Sequence, residues 1–299
     1  MSLRKEILAL FGKDVTHDAN GINARMHFFG SVPEESPQPL QPLKTPVLRP
    51  KIVVLVSING GVGRSTLVTA LSSGLQRHGE PVVALDLDPQ NALHRHFGVN
   101  STLPGIGRSS LAHVQWGSLQ QSGFAGCQVI TFGHIDIQQQ ENLERWLKQE
   151  PDWLARHLAA LDLSERQTLI IDTPAGNNVY LHQALRVADV VLSVVQPDAS
   201  CLGTLDRLDT LLAPHLEGQC PPALQVVINQ LDESNAFSLD MVEALKRRLG
   251  RDLLKVHRDI AINEALAFAA DPLDKVKKRP AGDDINQLCL LLKALKKTA

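Results

Sequence analysis

The chain has 299 residues, 43% of them hydrophobic, and a formal net charge of −2. This is an ordinary globular composition, with apolar residues enough for one large α/β domain or two small ones. No stretch reaches the roughly 18 to 20 uncharged apolar residues that a transmembrane helix needs, and Met1-Ser2-Leu3-Arg4-Lys5-Glu6 lacks the apolar core of a signal peptide, so the chain is expected in the cytoplasm.

Residues 3–12 have the pattern of a short amphipathic helix, with Leu3, Ile7, Leu8, Leu10 and Phe11 apolar, and an apolar patch follows at Met26-His27-Phe28-Phe29. Between Val32 and Pro50 lie Pro33, Pro37, Pro39, Pro42, Pro46 and Pro50, too many for a helix or a central strand. Residues 1–50 therefore read as a short helix on a proline-rich linker, and 51–299 as the main domain. The appendage is too small for a core of its own, so it either docks on its own domain or binds a partner.

From residue 51 onward, β-branched apolar runs alternate with helical segments, which predicts an α/β domain with a doubly wound, mainly parallel sheet. Strands are expected at 51–57, 81–86, 127–132, 167–172, 189–195, 224–229 and 253–256. Helices are expected at 64–78, 140–160, 178–187, 203–213, 237–249, 261–269 and 283–296. In such folds ligands sit at the carboxyl ends of the strands.

The first strand runs into Asn59-Gly60-Gly61-Val62-Gly63-Arg64-Ser65-Thr66, a strand, glycine-rich loop and helix start. Successive backbone N–H groups of such a loop curl around an anion at the positive end of the helix. The usual loop ends in Gly-Lys-Ser/Thr, with the lysine reaching the outer phosphates. Here Arg64 stands in that place, followed by Ser65 as the expected Mg²⁺ hydroxyl. Nucleotide binding is predicted to persist and fast hydrolysis is not.

The second strand leads into Asp86-Leu87-Asp88-Pro89-Gln90. Asp88 is the candidate to lie nearest the outer phosphate and orient a water, with Asp86 supporting the metal shell; the competing reading is a plain surface turn. Further on, Leu169-Ile170-Ile171-Asp172 is an apolar strand ending in an acid, as expected of a ligand to metal-bound water. Gly176 follows as a backbone donor to the outermost phosphate. His94 and His96, two apart on a helix, point to different faces and read as surface residues rather than a metal pair. Cys127, Cys201, Cys220 and Cys289 lack metal-type spacing and read as reduced, mostly buried thiols.

The C-terminal part is locally basic: residues 246–299 carry 13 Lys/Arg against 7 Asp/Glu. Lys246-Arg247-Arg248 with Arg251, and Lys275-Val276-Lys277-Lys278-Arg279, face either DNA or anionic lipid, or simply solvent. The last segment, with Leu288, Leu291, Leu292 and Leu295 along one side, reads as a helix packed on the core, its lysines complementing the dipole, rather than as a membrane-touching helix.

The loop, the acidic turn and the Asp-Thr-Pro of the third element together resemble the ParA/MinD family of deviant phosphate-loop ATPases, over about residues 51–270. The resemblance implies a P-loop NTPase fold with a deviant Walker A loop, ATP and Mg²⁺ as cofactors, and a homodimer that sandwiches the nucleotide. It implies that Asn229 reads the adenine edge, that Gln196-Pro197-Asp198 is the strand-end turn, and that Arg258 lies near the base. Within the family, Val256 to Ala267 and the weakened loop are most similar to the member found in bacterial cellulose-secretion operons. Recruitment to a cellulose synthase complex at the inner membrane is thereby implied, with a DNA or membrane positioning ATPase as the alternative. In the family a lysine at the position of Asn59 crosses to the partner's phosphates. This chain lacks that charge as well, which implies slow turnover at most.

Overall fold

The computed structural model describes residues 49–217, 220–250, 253–295 and 297. The short helix expected at 3–12, the apolar patch at 26–29 and nearly all of the proline-rich linker lie outside the described residues.

Strand β1 (Lys51–Val56) is buried along its whole length, and so are β2 (Val82–Asp86), β5 (Thr168–Asp172) and β6 (Val190–Val195). Runs that are apolar on both faces need cover on both sides, which is the condition for a central parallel strand. With β3 (Gln121–Ser122), β4 (Gln128–Ile130), β7 (Ala223–Leu231) and β8 (Leu254–His257) they form one sheet in the order β3-β4-β2-β5-β1-β6-β7-β8. Every pairing is parallel except β3 with β4.

Helices α1 (Arg64–Arg77), α2 (Ala92–Phe97), α3 (Ile106–Leu111), α4 (Ile137–Leu147), α5 (Trp153–Ala159), α6 (Val179–Val187), α7 (Cys201–Leu216), α8 (Ala236–Leu249), α9 (Ile260–Ala267), α10 (Pro272–Lys275) and α11 (Pro280–Ala294) cover the sheet. Two apolar clusters result. One, containing Ile52, Val54, Val56, Leu169, Ile171, Tyr180 and Leu205, fills the space under α6 and α7; the other, containing Val53, Leu55, Leu71, Leu75, Ile285 and Leu288, fills the space under α1 and α11. Alternate residues of β1 thus feed opposite layers, as its two-residue period requires.

The seven strands expected from the sequence are all present within two residues of their predicted ends. The edge strand β3 and the short helices α2, α3 and α10 were not expected. The single helix expected at 140–160 is two helices, because Pro151 cannot donate an N–H or continue the first of them. The C-terminal helix packs on the core through Ile285, Leu288, Cys289 and Leu292, all 1% exposed or less. Its lysines do more than offset a dipole: Lys293 donates to the His78 carbonyl (2.8 Å), and Lys297 donates to those of Arg49 and Glu165 (2.7 and 2.6 Å).

Candidate functional site

Because β1 sits between β5 and β6, the chain leaving its carboxyl end emerges at the middle of the sheet, with the ends of β2 and β5 on one side and those of β6 and β7 on the other. The loop there turns through Gly61 (φ +78°) and Gly63 (φ +85°), both in the left-handed region. Gly63 caps α1 with no side-chain hydrogen bond, so the first turn of this 14-residue helix offers its backbone donors to a ligand. A Cβ on Gly63 would lie 2.4 Å from Nδ2 of Asn229, whereas Cβ atoms on Gly60 or Gly61 would meet nothing within 4 Å. The loop is thus tight against the protein on one side and open on the other.

Its inner side is pinned from β7. Asn229, buried, donates Nδ2 to the Val62 carbonyl at 2.7 Å. Gln230, at φ +59° in a bulge of that strand, donates Nε2 to the Gly61 carbonyl at 3.1 Å. Asn229 therefore spends its amide on the loop. It shares with Thr66 and Arg258 a cavity of about 40 Å³, space for a few waters and too small for a purine ring. Arg258 also lines an adjoining open cleft of about 480 Å³ with Asp232, Glu233 and His257.

On the open side lies a cleft of about 460 Å³ bounded by Gly60, Gly61, Arg64, Ser65, Asp88, Gln140 and Tyr180, among others. Asp86 and Asp172 end neighbouring strands in register with each other, and both are fully buried. Asp86 accepts backbone N–H bonds from Asp88 and Leu93, each 3.0 Å, and so holds the acidic turn and the start of α2. Burial pushes its carboxyl well above the ordinary range; neighbouring Asp172 adds to this and the two backbone bonds oppose it. Because β2 stops at Asp86, Asp88 escapes the strand's alternation. One of its oxygens accepts from the Gln90 N–H (2.9 Å), and the other faces Arg64. The expected turn is present, with the Asp88 carbonyl accepting the Asn91 N–H at 2.8 Å, and Asp88 reaches Arg64 from it.

Arg64 is only 7% exposed. Its Nε lies 3.4 Å from Asp172 Oδ1 and its Nη2 3.4 Å from Asp88 Oδ2, while Nη1 donates to the Ser57 hydroxyl. Burial raises the Asp172 carboxyl to about 6, against the opposing pull of Arg64 and of the Ser65 hydroxyl that bonds to it. Asp172 Oδ2 is buried with no hydrogen-bond partner among the described residues. An orphaned carboxylate oxygen beside a serine hydroxyl and a second carboxylate is the donor set of a hard divalent cation, and an uncapped helix start with an open glycine loop suits a phosphate. The loop fits a phosphate, and the donor set fits a divalent cation except that the Arg64 guanidinium stands between Asp88 and Asp172.

Two expected residues are engaged within the fold. Asn59 donates Nδ2 to the Ser200 and Thr204 hydroxyls of its own chain, at 3.2 and 3.1 Å. Gly176 (φ +75°) has its N–H bonded to the Ser57 carbonyl at 2.9 Å, so it offers a phosphate donor only if that bond is released. His96 is not a free surface residue. Its Nδ1 lies 3.1 Å from Thr69 Oγ1, and burial lowers its pKa. Cys127, Cys201 and Cys289 are buried and Cys220 is exposed, all as free thiols.

Sequence reasoning did not single out Ser57, Gln230 or Tyr180. Ser57 looked like part of a strand, although its place just before the glycines was a signal. Gln230 depends on a bulge that no local pattern announces. Tyr180, in the helix expected at 178–187, is 1% exposed with a hydroxyl that has no partner among the described residues.

The family model described as cellulose biosynthesis protein BcsQ matches residues 50–290. The cellulose biosynthesis protein BcsQ of Escherichia coli (strain K12) is 29% identical over 219 residues, which cover 72% of this chain and 83% of that protein. Among solved structures, the septum site-determining protein MinD of Pyrococcus horikoshii OT3, complexed with Mg-ADP, aligns with a TM-score of 0.69 at 18% identity over 82% of this chain and 96% of its own. A plasmid partition protein of Borrelia burgdorferi B31 bound to AMPPNP aligns with a TM-score of 0.67 at 21% identity over 82% of this chain and 100% of its own. The two structures show that the fold is the ParA/MinD-like phosphate-loop fold. The chain belongs to the BcsQ family of cellulose biosynthesis proteins.

Proposed function

We propose that this chain is an ATP-binding, dimerising assembly factor of a bacterial cellulose secretion complex, recruited to the inner membrane, with weak or absent ATP hydrolysis. The observation that carries the reading is the set of substitutions around an intact cradle. The glycine loop and the acidic residues of a nucleotide site are in place, while neither cation that speeds phosphoryl transfer is available in the usual manner. Asn59 carries no charge and is bonded to Ser200 and Thr204; Arg64 is held by Ser57, Asp88 and Asp172.

In this reading the backbone N–H groups from Gly60 to Thr66 hold the phosphates, and Arg258 borders the base. Asn229 sets the shape of the loop and stands beside the base. Ser65, Asp88 and Asp172 are the side chains that would hold magnesium, which when bound offsets phosphate charge, and Asp86 steadies the acidic turn behind them. Asp88 is also placed to orient a water at the outer phosphate, and Gly176 to report that phosphate through its N–H once Ser57 releases it. A cation acting in trans on the developing charge is worth roughly 10³ to 10⁵ in rate, so its loss leaves a site better suited to holding ATP than to splitting it. The homologous name, cellulose biosynthesis protein BcsQ, supports the cellulose assignment.

Size-exclusion chromatography of the full chain with and without ATP and Mg²⁺ tests the proposal. The expected result is a nucleotide-dependent shift from monomer to dimer that Asp172→Ala abolishes; a monomer under every condition contradicts it.

A further inference from the structure

Replacing the loop lysine by arginine does more than alter the reach of one charge. An ammonium is a single point on a flexible stem, whereas a guanidinium carries five donors in a rigid plane and can face several acceptors at once. Arg64 uses that geometry: Nε faces Asp172 Oδ1 and Nη2 faces Asp88 Oδ2, both at 3.4 Å, with Nη1 on the Ser57 hydroxyl. At 7% exposure the guanidinium is desolvated, and these partners offset the loss of its hydration. The two carboxylates it joins are the ones that the nucleotide reading assigns to magnesium. A dication and a fixed guanidinium cannot share the space between them without mutual repulsion in a medium of low dielectric.

We infer that Arg64 is a built-in counter-ion that occupies the divalent cation's place between Asp88 and Asp172, so that the nucleotide-free site excludes metal and nucleotide affinity depends little on Mg²⁺. Arg64 is then the residue that decides whether the site takes a nucleotide with or without its metal. This inference rests on the nucleotide reading above, but its main test does not need a nucleotide.

That test is Mn²⁺ binding to the nucleotide-stripped full chain, followed by electron paramagnetic resonance, for wild type, Arg64→Lys and Arg64→Gln. Both variants are expected to bind Mn²⁺ at least about tenfold more tightly than wild type, and adding Asp172→Asn is expected to remove the gain. Equal Mn²⁺ affinity in wild type and both variants overturns the assignment. In parallel, calorimetry on wild type compares ATP affinity in excess Mg²⁺ and in EDTA. A difference of less than about threefold supports the inference and a larger one contradicts it, which also settles the matter should both variants fail to fold. If no form binds ATP under either condition, the nucleotide reading fails, and the Mn²⁺ comparison alone decides the role of Arg64.

Discussion

Gly63 carries two constraints at once, a φ of +85° and a contact that leaves no room for a methyl group, since a Cβ there would sit 2.4 Å from the Asn229 amide. Gly63→Ala is expected to cost about 1–3 kcal/mol in chemical denaturation and to weaken ATP binding in calorimetry, because either the loop or Asn229 must move. Gly60→Ala, with nothing near its Cβ, is the matched control and should fold like wild type. Position 59 sets rate rather than shape. Asn59→Lys, combined with Arg64→Lys to restore both cations, is expected to raise steady-state phosphate release by about 10²-fold; no increase would mean that the slow turnover lies elsewhere. At this scale the sequence was informative where chemistry restricts the residue type. Glycines, a strand-end acid and a serine after the loop announce themselves; Gln230 does not, because its role arises from a bulge and a left-handed backbone set by tertiary contacts.

Among the elements, α11 is held by burial. Leu288 lies in the cluster under α1, and Leu288→Ala should destabilise the chain by about 2–5 kcal/mol in thermal or urea unfolding, with ATP affinity retained if the site is undisturbed. Helices α1 and α11 approach so closely that a Cβ on Gly74 would lie 2.5 Å from Cys289 Sγ. The end of β8 carries a pH-sensitive tie. His257 Nδ1 lies 2.5 Å from Asp284 Oδ2, and its Nε2 lies 2.9 Å from Glu233, which Lys255 also approaches. Burial pulls the imidazole down, but the bonds to Glu233 and Asp284 outweigh it and hold the pKa above its usual value. A raised histidine stabilises the folded state fully below pH 6.5 and loses that contribution as pH rises through the folded value. The melting temperature should therefore fall modestly from pH 6 to 8, and Asp284→Asn should flatten the profile. Four residues of the basic clusters are paired: Lys246 with Glu243, Arg248 with Asp206 and Asp209, Lys277 with Asp274 and Arg279 with Asp259. DNA is accordingly not expected to stimulate phosphate release. Alternation of apolar runs made the strands legible from sequence. The short helices α2 and α3 were not, since six residues hold less than two turns of periodicity and depend on the loops that frame them.

For the whole molecule, the sheet order explains why residues scattered from 57 to 258 meet at one edge. Parallel strands deliver their carboxyl ends to the same side, and β1 brings the glycine loop to the centre of that side. The chain belongs to the BcsQ family of cellulose biosynthesis proteins, and it carries Arg64 where the usual phosphate loop has a lysine. Among the described residues no helix is long and apolar enough to cross a membrane. The most direct test is isothermal calorimetry of the nucleotide-stripped chain with ATP. Saturable binding of one ATP per chain, strongly weakened by Gly63→Ala, is the predicted result; no heat of binding to wild-type protein, with or without Mg²⁺, would contradict the account.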